Sequence, residues 1–311
     1  MLSDAHDPGQ RPDRTPSGHG ERLHRFSPVR SLDFGEHRLT YLADGFVQLA
    51  PRAWFPGTTG ETWERYAAHL DGDGHLMASV GGLLVEHRGR ALLIDTGYGR
   101  RRTESADSYP FLGVEEGGRL PASLAACGVD VDAIDTVAFT HLHEDHVGWA
   151  FSPAADGPGL HFRRARYVTS RYEWAHWSGT FPDFLARELR GKAVGVLDGE
   201  EVFPGVTAWA TPGHTDGHTS YVITSGDRRM LVLGDALHSA VQIERPEWRV
   251  LVDAGRDIAV DTRLRILKEL TRPDTVGFAG HFADVVFGRV VTDGGRHRWE
   301  PLATTAGGDC C

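Results

Sequence analysis

The stretch Thr140-His141-Leu142-His143-Glu144-Asp145-His146-Val147-Gly148-Trp149 gathers three imidazoles and two carboxylates just after an apolar run, Ile134 to Phe139. Such a run reads as a short buried strand, so the polar cluster sits where a rigid element gives way to a loop. His141 and His143, two apart, converge on one cation if the chain stays extended. Asp145 and His146 lie on the following turn and can face a second. Neutral imidazole and carboxylate are borderline to hard ligands, which suits zinc and admits manganese, iron or cobalt. With 17 His in the chain, the bland alternative is a histidine-rich surface loop, but a loop of that kind brings no partners of its own.

Partners are present downstream. Thr211-Pro212-Gly213-His214 follows the apolar run Val206 to Ala210, Leu231-Val232-Leu233-Gly234-Asp235 ends another, and Val276-Gly277-Phe278-Ala279-Gly280-His281 ends a third. Each sets one ligand-competent side chain at the end of a short strand, beside a glycine that lets the backbone turn sharply. Upstream, Leu92-Leu93-Ile94-Asp95-Thr96-Gly97 does the same with Asp95.

HxHxDH followed by these motifs in this order resembles the metallo-β-lactamase superfamily of binuclear metallohydrolases, over about residues 35 to 290. The resemblance implies an α/β fold, an αββα sandwich of two mixed β-sheets flanked by helices. It also implies that His141, His143 and His214 bind a first metal, that Asp145, His146 and His281 bind a second, and that Asp235 bridges them. The implied cofactor is two Zn2+, with Mn2+, Fe2+ or Co2+ as substitutes. The nucleophile is then a hydroxide shared by the two metals, which Asp145 can help orient. Asp95 reads as an outer carboxylate fixing a ligand tautomer or as a turn residue, and the resemblance favours the former. His218, in Gly213-His214-Thr215-Asp216-Gly217-His218, is expected to support the loop and is left out of the ligand set.

Within the superfamily, Gly234 to Gln242 and Thr140 to Trp149 resemble the methyl parathion hydrolase-like enzymes. The N-acyl homoserine lactonases share the seven ligands but place a Tyr three residues after the bridging Asp, where this chain has His238. His238 either donates a hydrogen bond to the developing oxyanion, or protonates the leaving alkoxide, or is simply packed beside the site.

A chain of 311 residues, 40% of them hydrophobic, can bury a sizeable core. The expected organisation is a loosely packed tail over 1–30, a catalytic domain over 31–300 and a flexible tail over 301–311. The formal net charge of -10 argues against a basic groove for nucleic acid. Three Cys, two of them the adjacent Cys310 and Cys311, make no disulfide framework. No apolar run approaches membrane-spanning length and no cleavable leader is evident, so a cytoplasmic protein is expected. The expected partner is a small molecule with an apolar portion, with no nucleic acid and no membrane. A homodimer is compatible with the sequence.

Helices are expected over 61–70, 120–127, 171–190 with a break, and 261–270. The last should turn Leu264, Ile266, Leu267 and Leu270 inward. Asp71-Gly72-Asp73-Gly74 reads as a turn, because a calcium loop opening there would have Gly82 where a bidentate Glu is needed. Hairpins are expected over 80–94 and 220–233. Residues 98–119 lack a clear period and read as a long loop over the site; Tyr98, Tyr109 and Phe111 there can contact substrate, with ordinary packing the leading role for each. Trp149, Phe151, Trp174, Trp177, Phe181 and Phe184 are candidates for an apolar substrate wall.

The function expected is hydrolysis of a lactone or ester, with phosphotriesters as promiscuous substrates. One alternative is a thioesterase or cyclase acting on a carrier-bound acyl chain, for which Arg100, Arg101 and Arg102 form the compact basic patch. The other is a non-catalytic metal-binding protein.

Overall fold

The computed structural model describes residues 19–154 and 159–306. Most of the expected N-terminal tail, with His6, and the Cys310-Cys311 pair lie outside the described residues.

Among the described residues the strands form two sheets, one of ten strands and one of seven. The spatial order of the first is Thr305–Ala306, Arg30–Phe34, His37–Leu49, Leu76–His87, Arg90–Ile94, Ile134–Ala138, Arg166–Ser170, Ala193–Val196. The second runs Glu201–Phe203, Val206–Ala210, Thr219–Ser225, Arg228–Val232, Thr275–Phe278, Phe287–Asp293, Arg296–Pro301. Both are mixed. Arg90–Ile94 pairs in parallel with Ile134–Ala138, and Arg228–Val232 with Thr275–Phe278, while the neighbouring hairpins are antiparallel.

The period-two pleat sorts the apolar residues into layers. Leu83, Val85, Leu92 and Ile94 of the first sheet meet Tyr221, Ile223, Met230 and Val232 of the second in one buried cluster between the sheets. Their neighbours Leu84 and Leu93 face the other way, onto Leu120, Leu124, Leu185 and Leu189 of the helices Leu120–Ala126 and Asp183–Leu189. Leu231 and Leu233 likewise turn outward onto Ile266, Leu267 and Leu270. Helix, sheet, sheet, helix is the expected αββα sandwich.

Several elements differ from expectation. The last long helix spans Arg256–Leu270, and its buried stripe is Ala259, Thr262, Arg263, Ile266, Leu267, Leu270. Leu264 falls about 100° off that stripe and is 48% exposed, whereas Arg263 occupies an inward position. Residues 98–119 are not one open loop: Leu112–Glu116 adds to His37–Leu49 and pairs with Arg102–Thr103. At the N-terminus, residues 19–30 are packed onto the body rather than loosely draped, with a helix at His19–Leu23 and with Leu23 and Ser27 buried. At the C-terminus, Thr305–Ala306 crosses to pair with Arg30–Phe34, so residues 302–306 do not trail away. The Asp71 turn is confirmed, its carboxylate accepting from the Asp73 and His75 N–H groups.

Candidate metal centre

The functional side chains stand in loops leaving the carboxyl ends of Arg90–Ile94, Ile134–Ala138, Val206–Ala210, Arg228–Val232 and Thr275–Phe278. These short strands end together at one edge of the sandwich, so residues far apart in sequence converge there. Gly234 has φ +54, and a Cβ on it would lie 2.5 Å from His218 Nε2. Only glycine lets the chain turn this tightly to aim Asp235 inward.

Asp235 is the centre of the arrangement. Its Oδ1 lies 3.0 Å from His281 Nε2 and 3.1 Å from His146 Nε2. Its Oδ2 lies 3.5 Å from His214 Nε2 and 4.0 Å from His141 Nε2. His143 joins the second group through Nδ1, 3.0 Å from His214 Nε2. Asp145 joins the first, with Oδ2 3.4 Å from His146 Nε2 and 3.5 Å from His281 Nε2. His141, His143 and His214 can hold one ion, and Asp145, His146, Asp235 and His281 another. All seven sequence-derived ligand positions are brought together.

The donor chemistry fits divalent cations. His141 Nε2 is buried without a hydrogen-bond partner, and His146 Nε2 and Asp235 Oδ1 lie 3.1 Å apart without forming an aligned hydrogen bond, a costly state for buried polar atoms unless a cation satisfies them. The outer nitrogens are fixed so that the inner lone pairs point inward. His146 Nδ1 lies 2.9 Å from Asp95 Oδ2, and the same carboxylate accepts from the N–H and hydroxyl of Thr140, each at 2.8 Å. Asp95 is therefore a buttress, not a simple turn residue. His141 Nδ1 meets Thr140 Oγ1 at 3.1 Å, and His214 Nδ1 meets Asp253 Oδ1 at 3.1 Å. His281 Nδ1 donates to the Ser79 carbonyl at 2.8 Å. His218 spends both nitrogens on the frame: Nδ1 donates to the Thr211 carbonyl at 3.0 Å and Nε2 accepts from Asp235 N–H at 2.9 Å.

Charge divides the imidazoles. Burial pulls His281 down, but the carboxylates of Asp235 and Asp145 together outweigh it and raise its pKa to about 9. Burial also acts on His146, and Asp145, Asp235 and Asp95 together hold it well above its ordinary value. On the other side, burial and then neighbouring His214 press His143 down to about 4, and burial with His146 and His143 presses His141 down. Burial opposes ionisation of Asp235, yet His281, His146 and His141 keep its carboxyl well below the usual range.

His238 is 2% exposed, with Nε2 3.3 Å from Asp235 Oδ2. Neither ring nitrogen has a hydrogen-bond partner. Burial lowers its pKa, so near neutrality the ring is a neutral hydrogen-bond donor rather than an acid. A cavity of about 680 Å³ opens onto this centre, lined by Trp54, Tyr98, Tyr109, Phe111, Leu142 and Trp177 among others. Tyr109 stacks on Phe111 at 5.4 Å, Phe111 meets Trp54 at 6.0 Å, and Trp54 meets His238 at 5.2 Å. Of the six aromatic residues that are candidates either for the core or for the wall, Trp177 alone lines this cavity. Trp149 is buried in the helix-side core, Phe151, Trp174 and Phe181 pack against it, and Phe184 is exposed. Tyr98, Tyr109 and Phe111, for which substrate contact is the lesser of two readings beside ordinary packing, do line it.

Three contributors were missed in the sequence. Trp54 lies in a short helix, Pro51–Trp54, remote from every metal motif. Asp253 lies in an irregular loop. Glu173 is buried and accepts from Leu142 N–H at 3.0 Å, the Thr215 hydroxyl at 2.8 Å and Trp177 Nε1–H at 3.0 Å. It thereby ties the His141–His143 loop to the His214 loop. No local pattern marks either carboxylate.

A family model described as the metallo-beta-lactamase superfamily matches residues 82–281. Among solved structures, AidC, described as a dizinc quorum-quenching lactonase in complex with a hexanoyl-homoserine product, superposes with a TM-score of 0.75 at 22% identity, covering 90% of this chain and 99% of its own. The hydrolase AbOPH of the beta-lactamase superfamily gives 0.72 at 24% identity, covering 89% and 98%. A probable metal-dependent hydrolase from Staphylococcus aureus gives 0.74 at 20% identity, covering 88% and 100%. At such identities the likeness is one of fold. Among curated proteins, hydroxyacylglutathione hydrolase from Neisseria meningitidis is 57% identical over 35 residues, 11% of this chain and 14% of that protein.

Proposed function

The chain belongs to the metallo-beta-lactamase superfamily, and from that premise we propose that it is a two-zinc hydrolase of uncharged lactones or esters carrying an apolar group. The observation that carries this reading is Asp235, whose two carboxylate oxygens each face a different histidine group. Two divalent cations held there would supply an acidified water as nucleophile and Lewis acidity at the carbonyl oxygen. Asp145, beside His146 and His281, would orient that water. His238, with Nε2 3.3 Å from Asp235 Oδ2, would donate a hydrogen bond to the oxygen that gains charge. The Tyr109–Phe111–Trp54 series offers a flat apolar wall for an acyl or aryl substituent. AidC, similar in fold, is a lactonase by description.

A carrier-bound substrate fits less well. Arg101 is engaged by Glu115 and Glu144, and Arg102 by Glu104 and Glu116, so the basic patch is neutralised. A small acyl thioester is a second reading, favoured by the local match to hydroxyacylglutathione hydrolase.

The test is a pH-stat panel of acyl lactones, aryl esters, a phosphotriester and a small acyl thioester, run with zinc-loaded protein. Turnover highest on lactone or ester supports the proposal. Turnover confined to the thioester replaces it with the second reading.

A further inference from the structure

His281 is held differently from the other ligands. His146 and His214 lean on carboxylates, whereas the outer nitrogen of His281 rests on a backbone carbonyl, that of Ser79. A carbonyl orients the ring only if its own strand and the His281 loop are fixed relative to each other. The Ser79 hydroxyl links the two by donating to the Ala283 carbonyl at 2.8 Å, and it accepts from the N–H of Ser27 at 2.7 Å. Ala283 has φ +42, a left-handed conformation that alanine holds only when its surroundings over-determine it.

The next residue shows what those surroundings are. Asp284 is fully buried. Its Oδ1 accepts from Arg30 at 2.7 and 2.9 Å, and its Oδ2 accepts from Arg25 at 2.8 and 3.0 Å. Arg22 donates to the Asp284 carbonyl, while Asp284 N–H donates to the Arg22 carbonyl at 3.1 Å. With Arg22 Nε also 3.4 Å from Oδ2, three guanidinium groups surround one carboxylate, more than neutralising an aspartate requires. Charge-assisted forks of this kind give geometric specificity as well as attraction.

We propose that residues 22–30 form a strap that completes the second cation site, with Asp284 as the positioning residue that fastens it to the His281 loop. The inference rests on the two-cation reading above. Nothing in the strap touches His141, His143 or His214 through these contacts, so its effect is confined to one site.

The experiment is a stepwise cobalt(II) titration of the metal-free full-length protein, followed by visible absorption. His281→Ala identifies the step that belongs to the second site. Asp284→Asn is expected to weaken that step by about 10–100-fold, the range for groups supporting a ligand, and to leave the other step unchanged. If Asp284→Asn does not fold, Arg30→Met decides, with the same selective but smaller loss and with partial rescue in Arg30→Lys. Folded variants that weaken both steps equally, or neither, overturn the strap. A wild-type protein that takes up fewer than two cobalt ions overturns the two-cation reading itself, and the strap with it.

Discussion

The carboxylate of Asp253 lies 3.1 Å from Nδ1 of His214, and its other oxygen faces the fully buried guanidinium of Arg263 at 3.5 Å. A cation in a helix stripe otherwise apolar or small is costly by itself, and Asp253 is what compensates it. Asp253→Asn is expected to weaken cation binding at the His141–His143–His214 site by about 10–100-fold, measured by chelator competition. Arg263→Met, which strands a buried carboxylate, is expected to lower unfolding stability by about 3–5 kcal/mol in urea titrations. The double variant should be destabilised by less than the sum of the two single changes. Strict additivity would show that the pair is not coupled.

His238→Phe keeps the ring volume beside Trp54 and removes the hydrogen-bond donor. A fall of about 10²–10³-fold in kcat with both cations retained is expected if the ring serves the developing oxyanion. Full turnover in the loaded variant would reduce His238 to packing.

The pH dependence of the metal-free protein follows from opposed shifts. His281, held up to about 9, and His146, raised with it, contribute stability that is complete below the ordinary value of 6.5 and lost as pH rises through 9. His143, pressed to about 4, and His141 resist protonation in the fold, so the unfolded chain takes up protons first and stability falls from 6.5 toward 4. Chelator-treated protein should therefore show its highest urea midpoint near neutrality. Cations displace the protons of His146 and His281, so loaded protein should lose the alkaline decline. An alkaline limb identical in both forms would contradict this.

Phe111→Ala and Trp54→Ala should each raise KM for lactones bearing a large apolar substituent by roughly tenfold, the equivalent of about 1–2 kcal/mol of lost burial. A short-chain lactone should be little affected. Steady-state kinetics on the two substrates decides, and equal losses on both would place these rings in the frame rather than in recognition.

The sandwich and the convergence of the seven candidate ligand residues were legible because most of them follow short strands whose apolar runs are local and whose pleat is period two, with Asp145 and His146 on the short helix Glu144–Val147. Leu83 and Leu84 face opposite layers for that reason. What was not legible depends on tertiary placement. Leu264 reads as inward from the amphipathic pattern of 261–270, but the helical stripe passes through Arg263 instead, because Asp253 waits there. Trp54, Asp253 and Glu173 carry no pattern in their own neighbourhoods and become site residues only when loops converge. The charged, proline-rich N-terminus reads as a solvated tail, yet three of its arginines close on a buried aspartate more than 250 positions away.

The most direct test of the account is cation stoichiometry and lactone turnover measured on the same preparations of wild type and Asp235→Asn. Two cations per wild-type chain with turnover are expected, and in the variant a weakened second cation together with loss of most turnover. Two tightly held cations and full turnover in Asp235→Asn would contradict the bridging role on which the proposed function stands.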